Sequence, residues 1–354
     1  MLGYLKSKNK EIDMNRKLGA VIIAVAVAVG IYFMTAEKKI EQTACGKVTI
    51  AEMNWASAEL MANVDKIILE KGYDCEVELV AGATMPTFTS MNEKGMPDIA
   101  PELWSNAVQG PLSKAKDEKR LFVANPGPIT GLGEGWWVSP SVVKNHPELK
   151  TVLDIIERPD LFPHPEDSSK GGIVICPEGW SCKQTNLNLF KAFDMEAKGW
   201  KVLEPGSATG LNAHWEGSVT KGKGAFGYYW TPTVFVGRLG LVGPLSSEVG
   251  FAGNDNWTKC IASQTDELCT DAQPSQWPSS KTGTIVTPGL DQAVNDYVSA
   301  RTFEGSVITS MLVWMDANQA TAEDSALHFL NTYPEVWTKW VTPEAATKIT
   351  ASLN

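Results

Sequence analysis

The run Lys47 to Met53 reads as a buried strand, with Asn54-Trp55 at its carboxyl end. Beyond it, the apolar positions Leu60, Val64, Ile67 and Ile68 recur at the spacing of one helix face, with Ser57 available as the cap and Gly72 as the stop. Cys75, Val77 and Leu79 then alternate as a second strand, which completes a strand–helix–strand unit of the parallel kind. Pro97 to Leu103 supplies a third short strand that ends at Trp104. Ligands of open parallel sheets bind beyond the carboxyl ends of the strands, so Trp55 and Trp104 both fall where a ligand would lie.

A glycine-rich passage, Gly127 to Gly135, follows and leads into Trp136-Trp137. It reads as a hinge or crossover with Glu134 and Trp136 at its mouth. It is no dinucleotide fingerprint, because no helix opens after it and Trp-Trp-Val reads as strand. Residues 140–240 form another mixed unit. Its expected elements are a helix from His146 to Glu157, a strand Gly172 to Ile175, helices Asn186 to Phe193 and Leu211 to Lys221, and a strand Ala225 to Trp230. Gly243 to Pro278 is turn-rich and irregular, and the tail from Leu290 is mainly helical, its helices returning to the first unit. The order predicts an α/β protein of two lobes joined by two crossovers: 45–130 with 245–354, and 131–244.

Composition narrows the class. Without residues 1–44 about 310 remain, enough for two cores at ~100–200 residues per domain. A net charge of −10 argues against nucleic acid, whose phosphates call for a basic patch, and against adhesion to anionic lipid. Thirteen Trp against four scattered His point to aromatic surfaces rather than acid–base chemistry. Arg16-Lys17 ahead of the uncharged run Leu18 to Met34 reads as an export signal, with Met14 as an alternative start and a retained membrane anchor as the other reading. Six cysteines, none in metal-ligand spacing, agree with an oxidising compartment such as the periplasm. Spacing favours Cys176–Cys182 and Cys260–Cys269 as local loops, which leaves Cys45 with Cys75. That last pairing would remove Cys45 from lipidation. Asp255, Asp266, Glu267 and Asp271 near the Cys260–Cys269 loop read as a solvated acidic loop, with a calcium site as the alternative.

Three stretches carry the candidate chemistry: Pro101-Glu102-Leu103-Trp104, Ile175-Cys176-Pro177-Glu178-Gly179-Trp180-Ser181-Cys182 and Tyr228-Tyr229-Trp230-Thr231-Pro232. A methylated ammonium has no N–H to donate, so proteins hold it with aromatic faces worth ~0.5–2 kcal/mol each, Trp being best. Together the stretches resemble the substrate-binding proteins of glycine betaine-type ABC importers, from about residue 46 to the C-terminus, with Gly243 to Pro278 looking like an insertion. The resemblance implies a type II-like periplasmic-binding-protein fold, monomeric, without cofactor, that hands its ligand to a membrane permease and its ATPase. It implies Trp104, Trp180 and Trp230 as the cage, Ser181 and Cys182 as backbone donors to the ligand's polar end, and Trp136 as a further aromatic. Trp55 departs from the ProX-type pattern. A box of four Trp with Glu134 nearby resembles binders of trimethylamine N-oxide instead, and both ligands stay open. Rivals from other classes are an enzyme acting on quaternary amines, with Cys182 as nucleophile only if it is free, and a membrane-anchored sensor. No Gly-x-Ser-x-Gly, His-Glu-x-x-His or P-loop occurs to support the enzyme.

Overall fold

The computed structural model describes residues 45–264 and 269–353. The expected leader lies outside them, as do Asp266 and Glu267 of the acidic loop. Ten strands are present among the described residues: β1 (Lys47–Met53), β2 (Glu76–Gly82), β3 (Ile99–Trp104), β4 (Phe122–Asn125), β5 (Gly133–Val138), β6 (Pro163–His164), β7 (Asp167–Val174), β8 (Trp200–Leu203), β9 (Phe226–Thr231) and β10 (Thr282–Val286). They form two sheets, ordered β2-β1-β3-β10-β4 and β5-β9-β7-β6, with β8 beside β7.

In the first sheet β1 runs parallel to β2 in continuous register, Lys47 facing Glu76 and Met53 facing Gly82. The helix Ala56–Tyr73 returns the chain between them and buries Leu60, Val64, Ile68 and Leu69. Two details differ from expectation. Ser57 does not cap this helix; its hydroxyl turns to Glu102 instead. Gly72 lies within the last turn, and the left-handed residue that ends the helix is Asp74, at φ 57°. Gly72 is needed for a close crossing, since a Cβ there would meet Ile349 Cδ1 at 3.0 Å. The helices Ala322–Thr332 and Pro343–Ser352 pack on the Ala56–Tyr73 helix, so the C-terminal tail does return to the first unit.

β10 runs antiparallel between β3 and β4. Its five residues, two of them Thr, are all buried, a run too short to show a period. In the core beneath, Arg301 and Asp65 are both inaccessible and pair at 2.7 Å. Arg301 Nη2 also donates to Thr284 Oγ1 at 2.9 Å, and Tyr297 donates to Asp65 at 2.6 Å.

The second sheet has β5 antiparallel to β9, and β7 parallel to both β8 and β9. The expected helix His146 to Glu157 is two short ones, Pro140–Asn145 and Val152–Ile156. Pro147 interrupts between them, and Thr151 with Asp154 builds a capping box that restarts the second. The strand expected at Gly172 begins earlier, at Asp167, and the helix expected from Asn186 begins at Cys182.

The chain passes from the first sheet to the second between Asn125 and Gly133 and re-enters the first at Thr282. On the return, Val242 still bridges Val138, and Leu245 N–H bonds Trp136 O. The irregular 254–264 segment then touches both halves: Trp257 Nε1 donates to Asn106 O, while Asn188 donates to the carbonyls of Cys260 and Ile261. Disulfides join Cys45 to Cys75, Cys176 to Cys182 and Cys260 to Cys269. No helix among the described residues is long and apolar enough to cross a membrane.

Candidate functional site

Trp55 follows β1 in an extended conformation, and Trp104 ends β3, so the parallel strands deliver both indoles to one edge of the first sheet. Their Nε1 groups donate to the same oxygen, Glu102 Oε1, at 2.9 and 2.8 Å. Ser57 Oγ adds a third bond to it at 3.1 Å. With the N–H edges tied back, the rings are fixed and their apolar surfaces remain for the cavity.

The second sheet contributes from two places. The Cys176–Cys182 disulfide closes a tight loop with Cα atoms 5.8 Å apart. Gly179, at φ 82°, turns the chain there and takes a backbone bond from Met85. The loop thereby holds Trp180, whose Nε1 donates to Asn54 Oδ1 at 2.8 Å. Trp230 and Tyr228 come from β9, and Glu134 lies opposite Trp230 on β5.

These elements meet around a small cavity of about 20 Å³ lined by Trp55, Thr84, Trp104, Glu134, Trp180, Ser181, Cys182, Tyr228 and Trp230. With the rings drawn this close together, the free space is room for about one water-sized sphere. Trp55 meets Trp180 edge to face, 5.5 Å between centroids at 74°. Trp180 meets Trp230 likewise, at 5.1 Å and 81°. Successive near-perpendicular rings turn their planes like the walls of a box, while Tyr228 and Tyr229 back Trp230.

The polar side of the box is acidic and buried. Glu134 is 4% exposed and accepts from Tyr228 Oη at 3.1 Å. Burial pushes its carboxyl up to about 7, against the pull of the tyrosine bond. Glu102, behind the wall and fully buried, is likewise pushed up to about 7, with the Trp55, Trp104 and Ser57 bonds and the Arg301 charge opposing the shift. At the other end, Ser181 and Cys182 open the helix Cys182–Ala192, whose first N–H groups lack partners within the helix and point a partial positive charge outward.

Seven of the eight sequence-predicted residues line this cavity. Trp136 does not: it is 2% exposed, donates to Asn186 Oδ1 at 2.6 Å and packs on Phe193 and Phe226 inside the second half. Sequence reasoning did not single out Tyr228 or Thr84. Alternation along β9 sets Tyr228 beside Trp230, a signal that was available; Thr84 carries none. All six cysteines are in disulfides, so Cys182 has no thiol to act as a nucleophile.

Two α/β halves that close aromatic walls over a small cavity define a solute-binding protein of the periplasmic-binding type. The chain belongs to the family of substrate-binding domains of ABC-type glycine betaine transport systems, which it matches over residues 46–332. It is therefore a transport binding protein and not an enzyme. Among solved structures it is similar to an ABC-transporter choline-binding protein in complex with choline, at 17% identity and TM-score 0.69, over 88% of this chain and 99% of that one. It is similar to ProX, a glycine betaine/L-proline-binding protein of Borrelia burgdorferi, at 15% identity and TM-score 0.65, over 86% and 99%. It is also similar to lactococcal OpuAC in its closed form with glycine betaine, at 14% identity and TM-score 0.62, over 84% and 100%. No curated protein matches.

Proposed function

We propose that this chain is exported to the periplasm, captures a small methylated ammonium compound in a cage of Trp55, Trp104, Trp180 and Trp230, and presents it as a monomer to an ABC permease and its ATPase. Glycine betaine is the leading ligand. The carrying observation is the perpendicular arrangement of Trp55, Trp180 and Trp230, drawn from both sheets around one small cavity. Four such rings supply ~2–8 kcal/mol toward a cation, against about 8.2 kcal/mol for micromolar binding. Burial of the methyl groups and hydrogen bonds to the anionic end supply the remainder. Ser181 and Cys182, at the positive end of their helix, suit a carboxylate. Capture is by closure of the lobes 45–130 with 245–354 on the lobe 131–244, with no covalent step.

Glu134 supports a second reading, trimethylamine N-oxide. A buried carboxyl held near neutrality keeps a proton to donate to a single N-oxide oxygen. Calorimetric titration with glycine betaine, choline, trimethylamine N-oxide and dimethylsulfoniopropionate tests both. Glycine betaine binding most tightly supports the first reading. Tighter trimethylamine N-oxide binding that Glu134→Gln selectively weakens supports the second, and binding of none rejects the cage.

A further inference from the structure

Buried charges in proteins are normally paired, and an unpaired one is costly. Behind the cavity wall lie two inaccessible carboxylates, Asp65 and Glu102, and one inaccessible guanidinium, Arg301. Arg301 is committed to Asp65, with Nε at 2.7 Å, and its Nη2 goes to Thr284 and Pro101 O. Glu102 bonds no cationic side chain; its Oε1 takes three neutral donors, and its Oε2, fully buried, takes none. When Glu102 is ionised the cluster carries two negative charges against one positive, and a cation in the cavity favours that ionised form. The Trp55 and Trp104 rings are all that is bonded between this carboxylate and the cavity.

We propose that Glu102 is a positioning and specificity-determining residue of the site. Its carboxylate locks the planes of Trp55 and Trp104 through their N–H groups and supplies, through those rings, the negative charge that a permanently cationic guest completes. Donation of an indole N–H to a carboxylate leaves the ring more electron-rich, and a charge in a dry interior acts at a distance that water would screen. Glu102 itself makes no contact with the guest. Its effect adds to that of Glu134, the other buried carboxyl of the site, which lines the cavity and is bonded to Tyr228. The proposal rests on the methylated ammonium reading above.

Glu102→Gln tests it, because an amide oxygen still accepts from both indoles while the charge is gone. Affinity for glycine betaine and trimethylamine N-oxide is measured by calorimetry, beside thermal unfolding of the ligand-free protein. The expected result is an affinity loss on the order of tenfold or more, with the free protein at least as stable as the parent, since a buried unpaired charge has been removed. Unchanged affinity in Glu102→Gln overturns the proposal. So does a loss of affinity accompanied by loss of stability, or a variant that does not fold, because either makes Glu102 a structural support only. If the parent binds neither compound, the methylated ammonium reading fails and this one with it; if the parent binds and the variant matches it, only this one fails.

Discussion

Trp180 and Trp136 are both buried indoles in the same half, yet they should respond differently to substitution. Trp180→Ala removes a wall between Trp55 and Trp230 and leaves the Asn54 carbonyl without its donor. It should cost at least about tenfold in ligand affinity. Trp136→Phe should leave affinity unchanged and lower stability by about 1–3 kcal/mol, since it orphans Asn186 Oδ1 in the core. The sequence placed Glu134 and Trp136 together at the mouth of the glycine-rich passage, and on β5 they are two residues apart. It could not tell depth: two residues further along β5 the space is already filled by Asn186 and Phe193. Glu102 was legible only as part of a motif, because its partners Ser57 and Trp55 come from 45 and 47 residues away.

The same carboxyls give a pH dependence. Glu102 and Glu134 are held at about 7 in the folded protein against an ordinary 4.5, so over that interval the native state binds more protons than the unfolded one. Ligand-free stability is then highest at the acid end and falls as pH rises toward 7, by at most about 1.4 kcal/mol per pH unit for each group. Thermal unfolding at a series of pH values checks the slope, and Glu134→Gln should make it shallower.

Among the elements, the 254–264 segment ties the two halves together beside the cavity. Gln264 Nε2 bonds both Ala107 O, in the first half, and Ser181 O, beside the cavity, at 2.8 and 3.1 Å. The Cys260–Cys269 disulfide, which Asn188 grips at Cys260 O and Cys269 N, holds this segment against the second half. The double replacement Cys260→Ser/Cys269→Ser should destabilise by about 2–3 kcal/mol, the usual worth of closing a short loop. It should also speed ligand release, measured by stopped-flow displacement. An unchanged release rate would reduce the segment to packing. None of this bridging was readable from the sequence, where Gly243 to Pro278 shows no periodicity. β10 escaped for a related reason: five buried residues flanked by turn residues have no alternation to detect, and only β3 and β4 on either side define them as strand. The β1–helix–β2 unit, by contrast, was legible almost to the residue, because its period changes from two to 3.6 and back.

At the scale of the whole molecule, the ligand should bind the folded state alone and stabilise it by mass action. At a hundred times Kd that is about 2.7 kcal/mol, visible as a rise in Tm that grows with ligand concentration. The first crossing was recoverable from the sequence, since the glycine-rich passage marks it. The return was harder to read, as residues 242–247 remain bonded to the second half before the chain re-enters the first at Thr282.

The three indoles that meet edge to face have an optical consequence. Chromophores with centroids 5.1 and 5.5 Å apart and steeply inclined planes exchange excitation, so the strong far-ultraviolet indole transition should split into a paired positive and negative band in circular dichroism. Trp55 rides on one half and its two companions on the other, so separating the halves would dim the couplet. Following that band during titration would test the proposed closure without a dye.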